Sequence, residues 1–139
     1  ITKDHALEHV WGYAAGLDLT RRDIQLRVKS AGMAWEMAKV FEGAAPITAV
    51  VPVAQAGHPE QGSVWLSVNG EERQRSSLQE QIFTVSEVIS LLSRLVPLRP
   101  GDLIMTGTPH GVSALNPGDV INAGIDGVAE LEMRVGSRP

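Results

Sequence analysis

The chain has 139 residues, 43% of them hydrophobic and 20% charged, with a formal net charge of -4 and no cysteine. That is enough for one domain with its own core. It argues against nucleic-acid grooves and basic membrane patches, which need clustered Lys and Arg, and it excludes disulfides, thiolate metal sites and a Cys nucleophile. No uncharged stretch is long enough to span a bilayer and no signal-like segment is found, so a cytoplasmic protein with no membrane or nucleic-acid partner is expected.

In chain order, Thr2-Lys3-Asp4 reads as a helix start, with Ala6, Leu7 and Val10 as its apolar stripe. His5 and His9 sit four apart, a chelating spacing, but with no Glu or third ligand beside them they read as solvated histidines. Val10 to Leu17 reads as a buried strand that delivers a single carboxylate, Asp18. Thr20-x-x-Asp23 then has the pattern of a capping box. It opens a helix in which Ile24, Val28 and Ala31 repeat, with Gly32 as its stop. Arg22 and Gln25, three apart, share one face of that helix. A carboxylate at a strand end, with a cation and an amide on the next turn, can build an anion or metal-chelate site.

The run Met33 to Phe41 is mostly apolar and holds Lys39 near its end. Two readings stay open there: a partly desolvated lysine serving as acid/base or oxyanion partner, and a lysine whose stem covers the core while its head stays wet. Glu36 and Glu42 flank it and read as solvated. Pro46 to Val53 predicts a short β segment, and Val64 to Val68 a strand that turns at Asn69-Gly70 into a polar edge strand from Glu71 to Arg75. Thr84-x-x-Glu87 is a second capping box. It opens a helix that buries Val85, Val88, Ile89, Leu92 and Leu95 and stops at Pro97.

Leu103-Ile104-Met105 predicts a buried strand running into Thr106-Gly107-Thr108-Pro109-His110-Gly111. Two hydroxyls and two glycines in that turn let backbone N–H groups approach an anion such as a carboxylate, with His110 read as a loop residue. Val120-Ile121 begins another strand, and Asp126-Gly127 turns into a last one whose Ala129, Leu131, Met133 and Val135 share a face. The pattern is α+β and β-rich with short helices. It is not an alternating βαβ array, and it holds no phosphate loop, dinucleotide fingerprint or nucleophile elbow.

Four blocks resemble the fumarylacetoacetate hydrolase family, in particular its acylpyruvate or fumarylpyruvate hydrolase branch. They are Gly12 to Gln25, Ala38 to Phe41, Val64 to Gln74, and Pro100 to Pro109, with the Pro117-Gly118-Asp119 and Gly127 segments fitting as well. The resemblance covers nearly the whole chain in order. It implies mixed, rolled β-sheets with short helices, a homodimer, and a Mg²⁺ (or Mn²⁺ or Ca²⁺) site made of a Glu-x-Glu pair and one Asp. Asp18 matches that Asp, Arg22 and Gln25 match substrate-contacting positions, Lys39 matches the active-site Lys, and Thr106 with Gly107 match a carboxylate-binding turn. The implied reaction is cleavage of a C–C bond in a 1,3-dicarbonyl acid through a pyruvate enolate. Oxaloacetate decarboxylation or isomerisation of 2-hydroxyhepta-2,4-diene-1,7-dioate on the same fold is the alternative. A non-catalytic ligand-binding subunit is the reading from another class.

The chain departs from the family pattern in two ways. The Glu-x-Glu pair and the water-activating His/Glu pair that the family places upstream of Asp18 are not in these 139 residues. Residues 1–139 are therefore expected to be the C-terminal part of one catalytic domain, with the remaining ligands on an N-terminal part. Val40 and Glu42 also stand where relatives carry a hydroxyl residue and an Asp.

Overall fold

The structure, a computed structural model, describes residues 1–137. Its core is a four-stranded antiparallel sheet of β3 (Ser63–Val68), β4 (Glu71–Ser77), β5 (Val120–Ile125) and β6 (Ala129–Arg134), in the order β4-β3-β5-β6. The Asn69-Gly70 turn closes the β3–β4 hairpin as its sequence predicts, with both residues at positive φ. Asn69 also ties the hairpin to β5: its Nδ2 donates to Asp119 Oδ1 at 2.8 Å, and the Val120 N–H donates to its Oδ1 at 2.9 Å. The Asn116 N–H, and after it the Asn69 amide, hold the Asp119 carboxyl below its usual range. Leu17, Ile121 and Ala123 form the buried centre, with Leu66, Leu131 and Met133 packed against it.

The N-terminal half is less regular than its apolar run predicts. Residues 3–9 form a 3-10 helix, and the Thr2 side chain makes no cap bond. The predicted strand from Val10 to Leu17 shrinks to β1 (Gly12–Tyr13), paired with β2 (Val51–Pro52), plus an isolated bridge between Gly16 and Ile47. Pro46 and Pro52 lack the N–H a full ladder needs, so the pairing is stitched from single bonds. Thr48 N donates to Ala15 O at 3.0 Å, and Leu17 N to Pro46 O and Leu19 N to Ala44 O at 2.9 Å each. Trp11, predicted inside, is 69% exposed.

Helix α1 (Arg22–Ser30) ends before Gly32, at φ 65°, as expected, but its N-cap position is Arg21 and no side chain caps it. The capping box predicted at Thr20 is absent because the Thr20 hydroxyl is spent elsewhere. Short helices α2 (Glu36–Lys39) and α3 (Val53–Ala56) follow. The second capping box is present: Thr84 Oγ1 accepts from the Glu87 N–H and the Glu87 carboxylate from the Thr84 N–H, opening α4 (Val85–Leu92). This helix stops short of Pro97, and Leu95 lies past its end, 79% exposed. Leu103 to Met105 does not form the predicted strand. The segment is irregular, and Leu103 and Met105 are exposed because no neighbouring strand pairs with it.

Glu87 joins the two ends of this layer. It accepts from Lys3 Nζ at 2.8 Å besides its capping bonds, and its carboxyl is held down to about 2 from an ordinary 4.5. A depressed acid stabilises above its unfolded pKa and stops doing so as it protonates in the fold. The contribution is therefore complete above pH 4.5 and is lost as pH falls through about 2. Glu87→Gln is expected to flatten the pH dependence of thermal stability across that window, and the protection of residues 3–9 against amide exchange, relative to intrinsic rates at each pH, should no longer fall on acidification.

Candidate active site

The irregular pairing of residues 11–21 with 38–53 has one consequence for chemistry. Leu17 and Leu19 are hydrogen-bonded to the incoming chain, and Arg21 N donates to Ala38 O at 3.0 Å, so Asp18 and Lys39 are brought side by side. Leu17 turns into the core while the Asp18 side chain stays 41% exposed. Lys39, at the end of α2, donates to Asp18 Oδ2 at 2.5 Å and to Thr20 Oγ1 at 3.0 Å. Both readings of Lys39, a partly desolvated acid/base or oxyanion partner and a stem over the core with a wet head, stay open: its head is bonded to two acceptors and one third exposed. Glu36 and Glu42 stay in solvent as expected.

These groups line a cavity of about 730 Å³ between the β3–β5 face and the loop from Ile104 to Leu115. That volume is within the range of small-molecule sites. Asp18, Arg22, Lys39, Thr106 and Gly107 all line it. The charge balance is two cations against one carboxylate, which suits an anionic ligand. Most of the remaining wall is apolar, from Val64, Leu66, Ile121 and Phe41, so charge–charge contacts inside are screened less than at the surface.

Gln25 departs from its predicted place. It is on the same helix face as Arg22 but is 7% exposed and does not line the cavity. Its Oε1 accepts from Arg22 Nη1 at 2.5 Å, so it holds the guanidinium from behind. The three-residue spacing on α1 makes the two side chains neighbours, with Gln25 on the inner side.

On the far wall, Gly107 has φ 121°, a conformation only glycine adopts without strain, and a Cβ there would meet nothing within 4 Å. Thr106 Oγ1 accepts from Gln81 Nε2 at 3.3 Å. The loop is seated on the edge strand β4 at Gly111, where a Cβ would lie 1.9 Å from the Arg73 carbonyl oxygen and φ is 95°. Gly111→Ala is therefore expected to cost about 1–3 kcal/mol and to loosen this wall; denaturant unfolding of the variant measures it. His110 is exposed and lies outside the cavity, and His5 faces solvent against Glu8, which raises its pKa.

Thr20, Gln81 and Gln74 are cavity-lining groups that sequence reasoning missed. Thr20 reads as a helix cap by pattern, and only its distance to Lys39 reveals another use. Away from the cavity, Tyr13 Oη and His58 Nδ1 are 2.7 Å apart, and burial raises the Tyr13 pKa.

The residues present meet part of the requirement for a hard divalent ion. Such an ion takes several oxygen ligands, and Asp18 is a carboxylate of the right kind. Among the described residues no group of three or more His, Cys, Asp or Glu side chains converges, so they supply one corner of a metal site and not a complete one.

Comparison with known proteins bears on the same residues. The family model described as fumarylacetoacetate (FAA) hydrolase C-terminal matches residues 1–136. The chain is 43% identical over 136 residues to a fumarylpyruvate hydrolase from Ralstonia sp., covering 98% of this chain and 70% of the relative. It is also 43% identical over 130 residues to the mitochondrial oxaloacetate tautomerase FAHD1 of Rattus norvegicus, covering 94% of this chain and 59% of that protein. The chain thus spans about six tenths of the length of several relatives it matches. Among solved structures, the fumarylpyruvate hydrolase from Pseudomonas aeruginosa, in complex with Mn²⁺ and pyruvate, superposes with a TM-score of 0.96 at 48% identity, covering 99% of this chain and 59% of that one. The mixture of short helices and antiparallel sheets, the matched model and the level of identity agree: this chain belongs to the fumarylacetoacetate hydrolase family.

Proposed function

We propose that this chain carries one wall of the active site of a metal-dependent hydrolase that cleaves acylpyruvates of the fumarylpyruvate type. The observation that supports this most directly is the cavity itself, where Arg22 and Lys39 face a hydroxyl–glycine turn across an otherwise apolar space, with Asp18 as its carboxylate. In the reaction, water adds to the distal carbonyl of the 1,3-dicarbonyl acid. Collapse of the resulting tetrahedral alkoxide breaks the C–C bond, leaving a carboxylic acid and the enolate of pyruvate, which takes up a proton. Arg22 and the Thr106–Gly107 turn are suited to hold the substrate carboxylate, by a charge-assisted pair and by donated hydrogen bonds. The Lys39 ammonium is suited to stabilise the oxyanion that develops as the bond breaks. When bound, Mg²⁺ or Mn²⁺ would supply Lewis-acid stabilisation of the enolate, and Asp18 would be one of its ligands. That a 48% identical fumarylpyruvate hydrolase, of which this chain covers 59%, forms a complex with Mn²⁺ and pyruvate supports the reading.

Oxaloacetate chemistry is the second reading, favoured by the 43% identity to an oxaloacetate tautomerase. It needs an enolate of the same kind, here that of oxaloacetate itself with all its carbons kept, because oxaloacetate is also a 2-keto acid with an acidic methylene. A homodimer belongs to the proposal too, supported by Met33, Met37 and Val40, which stand 62%, 66% and 72% exposed around α2. The deciding experiment follows loss of the enol absorbance of an acylpyruvate and of oxaloacetate in parallel, using the complete protein with Mn²⁺ or Mg²⁺, and identifies products by NMR. Stoichiometric pyruvate and carboxylic acid support hydrolysis, keto–enol conversion without cleavage supports tautomerisation, and no change with either overturns both readings.

A further inference from the structure

Lys39 presents three N–H donors, and a lone ammonium on a four-carbon stem would rotate them freely. Here two of the three are assigned. Asp18 Oδ2 takes one at 2.5 Å and Thr20 Oγ1 takes another at 3.0 Å. The Thr20 hydroxyl is itself oriented: it is half-buried, and it donates its own proton to the Asp18 main-chain carbonyl at 3.3 Å. With that proton committed, the lone pairs of Oγ1 are left to accept from Nζ. No other acceptor for Lys39 occurs among the described residues. Thr20, Asp18 and Lys39 all border the cavity.

We propose that Thr20 is a positioning residue for Lys39. Its hydroxyl and the Asp18 carboxylate fix two N–H directions of the ammonium, so that the third is held as a donor to the substrate instead of being shared among rotamers. The assignment rests on the reading that Lys39 acts on the substrate. It explains why Thr20 does not cap α1 although its sequence pattern suits that role: the hydroxyl is used by its neighbours at the site.

Thr20→Val keeps the branched shape and removes the acceptor, and Thr20→Ser restores a hydroxyl without the methyl. In the complete enzyme loaded with Mn²⁺ and assayed on acetylpyruvate, Thr20→Val is expected to lower kcat about tenfold with KM nearly unchanged. Thr20→Ser is expected to recover kcat to within about twofold. Mn²⁺ affinity, read by electron paramagnetic resonance titration, and the thermal midpoint should match the parent in both. Lys39→Met provides the control, and the double variant Thr20→Val/Lys39→Met should be no slower than Lys39→Met alone, because Thr20 acts through the lysine. A parental kcat in Thr20→Val, a Thr20→Ser variant as slow as Thr20→Val, or fully additive losses in the double variant overturns the proposal. If Lys39→Met itself turns over like the parent, the underlying reading of the lysine falls, and the positioning role falls with it.

Discussion

Asp18→Ala is expected to lower metal-dependent turnover of an acylpyruvate by about 10²–10³-fold while leaving the fold in place. Asp18 is the one carboxylate that borders the cavity among the described residues, so no second carboxylate there can take its place. It sits in a connection whose backbone is held by its neighbours: Leu17 N on Pro46 O and Leu19 N on Ala44 O. Removing the side chain leaves those bonds intact. The side chain is also 41% exposed, so no buried charge is orphaned and no core contact is lost. Circular dichroism and thermal melts of the variant should therefore overlay the parent, while Mn²⁺ affinity measured by titration falls at least tenfold. Near-parental turnover with Mn²⁺ would sink the assignment of Asp18. A collapse of the melting transition would show instead that the Asp18–Lys39 pair is structural. Asp18→Asn separates the two again, since it keeps an acceptor for Lys39 and loses the ligand charge.

The parts of this arrangement that could be read in advance are those governed by local rules. The Asn69-Gly70 hairpin, the Thr84–Glu87 cap and the stop at Gly32 each need only a few consecutive residues, and each is present. The β3–β4 edge hairpin and the alternating last strand followed from period-two patterning in the same way. What failed was set by partners distant in sequence. Leu103 to Met105 has the composition of a buried strand but finds no strand to pair with, and β1 is cut short by prolines that arrive some forty residues later. The site divides along the same line. Asp18, Arg22, Lys39, Thr106 and Gly107 were recognisable together because their order and spacing match a family pattern, and the cavity contains all five. Gln25 lies behind Arg22 and not on the cavity wall, because a shared helix face does not say which of two residues turns to the core. Thr20 was misassigned because capping is a pattern rule, whereas the bond that claims its hydroxyl spans nineteen residues.

Lys39→Met is the second variant with a large expected effect, and it discriminates between two roles of the lysine. The substitution keeps an unbranched stem of similar length and removes the charge. If the lysine only covers apolar surface, turnover should not change. If its ammonium stabilises the oxyanion that forms as the C–C bond breaks, kcat should fall about 10²-fold while KM moves much less, because the interaction is made mainly in the transition state. The geometry adds a second readout with the opposite sign. In the structure Lys39 is bonded to Asp18 Oδ2 at 2.5 Å, so a cation arriving at the other oxygen of that carboxylate shares its charge with the ammonium and is repelled by it. Lys39→Met removes both effects, and Mn²⁺ should bind as tightly as in the parent or more tightly even though the enzyme is slower. A variant that lost turnover and metal together would make Lys39 a support for Asp18. One that lost neither would return it to the surface role. Slower chemistry on a better-loaded site is the outcome that only a lysine acting on the substrate produces.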